Sequence, residues 1–291
     1  MGLGAIGTPM AVRLAEVHPL LVWNRTPARA TAALSAHPGM AAAATPRELA
    51  VACEVVLLCL STSSDVEAVL GGPDGLEAGL QPGSLVIDCT SGEPAAARRL
   101  AGHLAARGVD YVDAPVSGGT NGAAAGTLTV MVGCPAELFP RIEAVVAPFA
   151  GRVVRMGPVG AGTAMKAVNN ALLAVNILAV GEGLAGLTKA GIDPRLALDV
   201  LNGSSGRSFV SEVLVPERVL TGLWPNTFRL ALLHKDIGIA AGLLAEQGIE
   251  GPVLAKALAQ YAEARRALGD SADYLEAIRV IEEQAGVAIR G

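Results

Sequence analysis

Aromatic residues make up only 3% of this 291-residue chain: two Trp, three Tyr and four Phe. That scarcity speaks against a surface that reads nucleic acid by stacking bases. Basic charge is not in surplus either. The 22 Lys and Arg against 27 Asp and Glu leave a formal net charge of −5, so there is no electrostatic footprint for DNA, RNA or an anionic membrane surface. The four cysteines, Cys53, Cys59, Cys89 and Cys134, have no C-x-x-C or other metal spacing. They read as small hydrophobes in a reducing compartment, and no metal is expected. The N-terminus lacks a basic segment followed by an apolar signal core, so a cytoplasmic location is expected. Charged residues are few (17%) and apolar ones many (52%), which excludes a disordered chain and implies a large core. The length suits two domains of ordinary size, with a small molecule as the partner.

The stretch around which the chain is organised is Gly157 to Asn170, GPVGAGTAMKAVNN, with the apolar run that follows to Gly191. From Ala167 to Gly181 no residue is charged and no polar stripe separates the apolar positions. A helix that is apolar all round is buried in protein or spans a membrane. Spanning takes about 20 predominantly apolar residues. This run is shorter and carries Asn169, Asn170 and Asn176, so a helix buried in protein is expected. On it Lys166 and Asn170 stand four apart, hence on one face, with Asn169 beside them. A lysine at the start of a buried helix is neutralised by a partner, desolvated so that its proton leaves more easily, or snorkels to solvent. The desolvated state suits proton transfer near neutral pH, and the neighbouring asparagines favour it. Of the histidines, His18, His37 and His103 fall on loops or polar faces. Only His234 rivals Lys166 as an acid-base group.

The first half alternates strand and helix, which predicts an α/β fold. Gly2-Leu3-Gly4-Ala5-Ile6-Gly7 is a G-x-G-x-x-G, followed by a helical period from Thr8 to Glu16 and a buried strand from Leu20 to Trp23. That order is a dinucleotide-binding unit, with pyrophosphate at the helix N-terminus. The strand that should precede the glycines is missing, because only Met1 stands before Gly2. Since that strand is central in a doubly wound sheet, its loss would leave interior backbone groups unpaired. The expectation is that the natural chain starts a few residues earlier. After the second strand comes Asn24-Arg25-Thr26 in place of an acidic residue, which favours the 2′-phosphate of NADP over the ribose of NAD. NAD is the second choice. Further strands are expected at Val55 to Leu60, Leu85 to Asp88, Tyr111 to Ala114, Leu128 to Val132 and Val153 to Met156. The polar loop Ser61 to Asp65 lies at a strand's carboxyl end, where ligands bind in such sheets. Ser117-Gly118-Gly119 lies at another, where backbone N–H groups can nest a carboxylate or phosphate.

Beyond Gly191 only helical periods remain: Asp193 to Asn202, Phe209 to Leu220, Leu230 to Gln247, Pro252 to Leu268 and Asp273 to Gln284. Expected are a Rossmann-like doubly wound domain over residues 1–160 and an all-α domain over residues 161–291. The long interdomain helix joins them around a shared cleft. Lys235, in the middle of an apolar helix, either reaches the cleft to hold the nicotinamide side or an anionic substrate, or forms an ion pair within its own helix or with the facing domain.

Five motifs in order, GLGAIGTPMA, NRT, DAPVSGGTNGA, GPVGAGTAMKAVNN and KDIGIA, resemble the β-hydroxyacid dehydrogenase family, most closely its 3-hydroxyisobutyrate dehydrogenase branch. The resemblance covers nearly the whole chain. It implies that Lys166 is the catalytic lysine and that Asn170 orients the substrate. Ser117, Gly118 and Gly119 would bind the substrate carboxylate, with Asn169 and Lys235 adjoining. The glycine turn (Gly2 to Gly7), Asn24, Arg25, Thr26, Leu60, Ser61, Asp65, Ser91 and Lys235 would line the cofactor site. It also implies a homodimer or homotetramer. The expected activity is NADP-preferring hydride transfer between a small 3-hydroxy acid and its semialdehyde. An imine reductase, a tartronate or succinic semialdehyde reductase, and a non-catalytic nucleotide-binding module are the alternatives.

Overall fold

The computed structural model describes residues 1–37 and 39–291, and they form two compact units, Met1–Lys166 and Ala167–Gly291. The first unit runs α1 (Gly7–Ala15), β1 (Leu20–Val22), α2 (Pro27–Ala36), β2 (Met40–Ala42), α3 (Pro46–Ala52), β3 (Val55–Leu58) and α4 (Ser63–Leu70). It continues through β4 (Leu85–Asp88), α5 (Pro94–Ala105), β5 (Asp110–Asp113), β6 (Val116–Ser117), α6 (Gly119–Ala125), β7 (Leu128–Gly133), α7 (Phe139–Val146) and β8 (Ala150–Gly157). Six strands make one sheet in the order β3-β4-β5-β7-β6, with β8 joined to β7, while β1 and β2 form a separate parallel pair. β3, β4 and β5 are mutually parallel; β5 and β6 run antiparallel to β7, and β8 parallel to it. Parallel strands covered on both faces read as unbroken apolar runs, and every residue of β4 is buried.

Differences from expectation have local causes. The third expected strand stops at Leu58 rather than Leu60, since the Leu60 N–H donates to Thr90 Oγ1 (3.0 Å). β2 and β6, three and two residues long, are too short to show a period of two. At the start of the glycine turn, Met1 and Gly2 bond to the segments on either side. The Met1 amino group donates to the Leu57 carbonyl (2.6 Å) and the Met1 carbonyl accepts from the Cys59 N–H (3.0 Å). The Gly2 N–H donates to the Trp23 carbonyl (3.1 Å) on the other side. Met1 and Gly2 thus bond both to the Leu57–Cys59 segment and to Trp23, and burial lowers the pKa of the Met1 amino group.

Helix starts follow their caps. Thr45 and Thr62 accept the N–H of Glu48 and Asp65 through their hydroxyls, and Asp193 accepts those of Arg195 and Leu196, satisfying donors that the first turn leaves open.

The long helix α8 (Ala161–Lys189) begins in the first unit and continues into the second. The second unit adds α9 (Pro194–Asn202), a π-helical segment Val210–Val219, α10 (Leu230–Glu246), α11 (Pro252–Leu268) and α12 (Ala277–Ala285). The expected regular helix from Phe209 is wound as a π-helix with Pro216 inside it; proline has no N–H for a regular ladder. The expected last helix opens as a 3₁₀ turn, Tyr274–Glu276, under an Asp273–Glu276 capping box. Asp273 also meets Arg218 (2.7 Å) in a buried ion pair and accepts the N–H groups of Thr227 and Phe228.

The expectation that α8 is buried all round is corrected. Its 29 residues are long and apolar enough to cross a membrane by composition, yet only 39% of its apolar window is buried in this chain. Ala167, Ala171, Ala174, Ile177 and Leu184 face the core, whereas Leu172 is 55% exposed. The lack of charge hides this asymmetry, because a buried stripe and an apolar exposed stripe give one composition.

At the carboxyl end of β4, Asp88 is buried and accepts hydrogen bonds from the Tyr111 hydroxyl (2.5 Å) and the Thr90 N–H (2.9 Å). Burial outweighs these bonds and pushes its carboxyl from an ordinary 3.8 up to about 6. Between those two values the folded protein holds the proton more tightly than the unfolded chain does, so this group's contribution to stability falls as pH rises through the window. Asp88→Asn removes that dependence. Urea unfolding at pH 4 and pH 7 should show the variant gaining on the parent by up to about 3 kcal/mol at the higher pH; an unchanged difference between the two pH values would contradict it.

Candidate active site

The glycine turn is fixed by its own backbone. A Cβ on Gly7 would collide with the Gly2 carbonyl, and one on Gly2, at φ +88°, with the Cys59 carbonyl. Only glycine lets the chain turn this tightly into α1. No side chain caps that helix, so its first N–H groups and dipole suit a phosphate. The Leu3 N–H donates to Asn24 Oδ1 (2.9 Å), and Asn24 Nδ2 donates to the Thr26 carbonyl (3.0 Å). Asn24 therefore ties the glycine turn to the loop after β1.

Arg25, with its side chain 81% exposed, pairs with Asp65 across 3.1 Å, and Asp65 also accepts from the Thr62 hydroxyl (2.8 Å). Leu60 and Ser61 lie in the same loop after β3. That loop is stitched to the loop after β4, which carries Ser91, by the Leu60–Thr90 bond and by the Glu93 N–H on Ser63 Oγ (2.9 Å). Of the expected cofactor residues, the glycine turn, Asn24, Arg25, Thr26, Leu60, Ser61, Asp65 and Ser91 thus lie about the carboxyl ends of β1, β3 and β4, whereas Lys235 belongs to α10 in the second unit. A cavity of about 420 Å³ opens against the turn, lined among others by Leu3, Gly4, Thr8, Arg29 and His37. Sequence patterning does not single out Arg29. Its signal is a second guanidinium four residues after Arg25, in the first turn of α2.

Asp113 ends β5 and leads through Ala114-Pro115 to Ser117-Gly118-Gly119. Gly118 and Gly119 have φ of +134° and +65°, and a Cβ on Gly118 would press on Leu128 Cδ2 at 2.9 Å. Successive backbone N–H groups in a glycine turn can form a concavity that accommodates an anion. The Asp113 carboxylate also holds the start of α8: it accepts the N–H groups of Gly160 and Thr163 (2.7 Å each) and the Thr163 hydroxyl (3.1 Å). Burial raises its pKa, and those same bonds oppose the rise. Lys166, one turn beyond Thr163, is buried with 9% exposure.

In the second unit, Asn170 is buried and donates from Nδ2 to Asp236 Oδ2 (2.6 Å), while its Oδ1 accepts from Asn169 Nδ2 (3.2 Å). Lys235 Nζ lies 3.0 Å from Asp236 Oδ1. The structure therefore joins Asn169, Asn170 and Lys235 through Asp236, a residue that sequence patterning does not place in a site. His234 is turned to Arg265 (3.0 Å), and its pKa is lowered by burial and then by the guanidinium charge. Among the described residues no group of three or more His, Cys, Asp or Glu is placed to hold a metal ion.

Residues 1–157 match the family described as the NAD binding domain of 6-phosphogluconate dehydrogenase, and residues 160–281 match NAD-binding of NADP-dependent 3-hydroxyisobutyrate dehydrogenase. The 2-(hydroxymethyl)glutarate dehydrogenase of Eubacterium barkeri is 35% identical, over 100% of this chain and 96% of that protein. The solved 3-hydroxyisobutyrate dehydrogenase of Mycobacterium tuberculosis, described with L-serine, superposes with a TM-score of 0.86 at 31% identity, covering 96% of this chain and 97% of that one. Psf3, described in complex with NADP+ and 2-OPP, superposes with a TM-score of 0.87 at 28% identity, covering 96% and 98%.

Proposed function

The chain belongs to the β-hydroxyacid dehydrogenase family and is an NAD(P)-dependent enzyme; from that premise we propose that it interconverts a small 3-hydroxy acid, of the size of 3-hydroxyisobutyrate, and its semialdehyde, with NADP preferred. The observation that carries this is the pairing of Lys166 and Asn170 one turn apart on α8, both buried. The helix start that presents them is clamped by Asp113, four residues before Ser117.

The nicotinamide cofactor supplies the hydride acceptor in oxidation and the donor in reduction. Lys166 removes the hydroxyl proton as the carbonyl forms and returns it in the opposite direction, when its ammonium also stabilises the developing alkoxide. Asn170 fixes the reacting oxygen, with Asn169 and Lys235 adjoining. The Ser117, Gly118 and Gly119 N–H groups hold the substrate carboxylate, so the reacting carbon is presented in one orientation. At the nucleotide end the uncapped start of α1 takes the pyrophosphate, Leu60, Ser61, Asp65 and Ser91 border the cofactor, and Asn24 and Thr26 keep the binding loop in place. Arg25 faces the 2′-phosphate, with Arg29 as a second cation. The enzyme is soluble and cytoplasmic. A second copy of the chain covers the exposed stripe of α8 in a homodimer or homotetramer.

A panel of 3-hydroxyisobutyrate, serine, tartronate semialdehyde and succinic semialdehyde, run with NADP and NAD, tests the substrate class. With the acid so found, Lys166→Ala should lower kcat by at least about a hundredfold while the Kd for NADPH, read by fluorescence, stays within about twofold. Parent-like turnover in that variant would reject the mechanism. Replacing Arg25 and Arg29 together by Ala should raise the KM for NADPH about tenfold or more and leave that for NADH unchanged; an equal loss for both cofactors would deny the two arginines a role in the preference.

A further inference from the structure

Asp236 is 1% exposed in a helix, α10, made otherwise mostly of Leu, Ile, Ala and Gly. A carboxylate is costly there unless its oxygens are matched. Oδ2 accepts from Asn170 Nδ2 at 2.6 Å, and Oδ1, which accepts no hydrogen bond, lies 3.0 Å from Lys235 Nζ in an ion pair. The match is asymmetric in a useful way. A carboxylate only accepts hydrogen bonds, whereas a carboxamide has a donor end and an acceptor end of nearly the same shape. Whatever faces Asp236 must be the nitrogen of Asn170, and the Asn169 amide, donating to Asn170 Oδ1, agrees with that orientation. Of the two N–H groups on Asn170 Nδ2, Asp236 takes one.

We propose that Asp236 is a positioning residue that makes Asn170 an N–H donor toward the reacting oxygen of the substrate. The assignment rests on the hydroxy-acid chemistry proposed above. A donor is the polarity that chemistry needs, because the reacting oxygen gains negative charge between alcohol and aldehyde. Were the amide reversed, its carbonyl would face that charge. Asp236 also anchors the Lys235 ammonium, so its loss reaches the substrate by two routes: kcat through Asn170, and KM through Lys235.

The test is a double-mutant cycle in the full chain with the acid that the parent turns over. Urea unfolding and NADPH affinity serve as controls for folding and cofactor binding. Asp236→Ala should lower kcat about tenfold to a hundredfold with NADPH affinity unchanged. In an Asn170→Ala background the same change should cost less than about twofold in kcat, while its effect on KM persists. The isosteric Asp236→Asn, which still offers an acceptor to Asn170, should keep kcat within about threefold of the parent and raise KM. The exchange Asn170→Asp with Asp236→Asn keeps volume, charge and a hydrogen bond but presents only oxygen to the substrate. It should fold and lose at least about a hundredfold in kcat, and it decides the question should Asp236→Ala unfold. Losses in kcat that multiply across the cycle, Asp236→Asn no better than Asp236→Ala, or an exchanged pair with parent-like kcat would overturn the assignment. A parent inactive on every acid would instead overturn the hydroxy-acid reading, and Asp236's role with it.

Discussion

The carboxylate of Asp113 takes three hydrogen bonds from the first turn of α8, two from backbone N–H groups and one from the Thr163 hydroxyl. Helix starts leave N–H groups open and carry a partial positive charge, so a buried anion there is stabilised where elsewhere it would be penalised. The consequence is geometric. Asp113 ends the strand that leads to Ser117-Gly118-Gly119, and by gripping Gly160 and Thr163 it fixes the rotation of α8 about its axis. Lys166 is one turn beyond that grip and Asn170 one turn further. Both the Ser117-Gly118-Gly119 loop and Lys166, the side chain proposed to move the proton, are therefore referenced to one carboxylate in the first unit.

The same solution recurs at other buried acids of this weakly charged chain. Asp88 is matched by a phenol and a backbone N–H, Asp273 by a guanidinium and backbone N–H groups, and Asp236 by an amide, with an ammonium in ion-pair range. Each ties segments distant in sequence: β4 to β5, the π-helical segment to the turn before α12, α8 to α10. With a core dominated by Ala, Val and Leu, whose contacts are forgiving of small displacements, these polar bonds have fixed directions and set orientation.

Much of this is legible in the sequence. Apolar runs at Val55–Leu58 and Leu85–Asp88 are unmistakable because parallel strands are covered on both faces. The glycine turn announces itself because Gly2 and Gly7 have no room for a Cβ. The motifs around Ser117, Lys166 and Lys235 are visible as polar residues in apolar company. Other parts are not legible, for physical reasons. The exposed side of α8 is as apolar as its buried side. The π-helical turn depends on Pro216 within a segment whose composition resembles an ordinary helix. Asp236 and Asp113 look like a charge beside a lysine and the end of a strand. Their importance lies in partners 66 and up to 50 residues away, and periodicity says nothing about partners at that range.

The central claim is that the primary amine of Lys166 moves the proton when hydride is transferred. Chemical rescue tests it most directly: turnover of Lys166→Ala, with NADP and the accepted hydroxy acid saturating, measured against increasing ethylamine. The account predicts activity that returns and saturates with the free amine and is absent with a tertiary amine too bulky for the vacated space. A variant that turns over at the parent rate without added amine would contradict it.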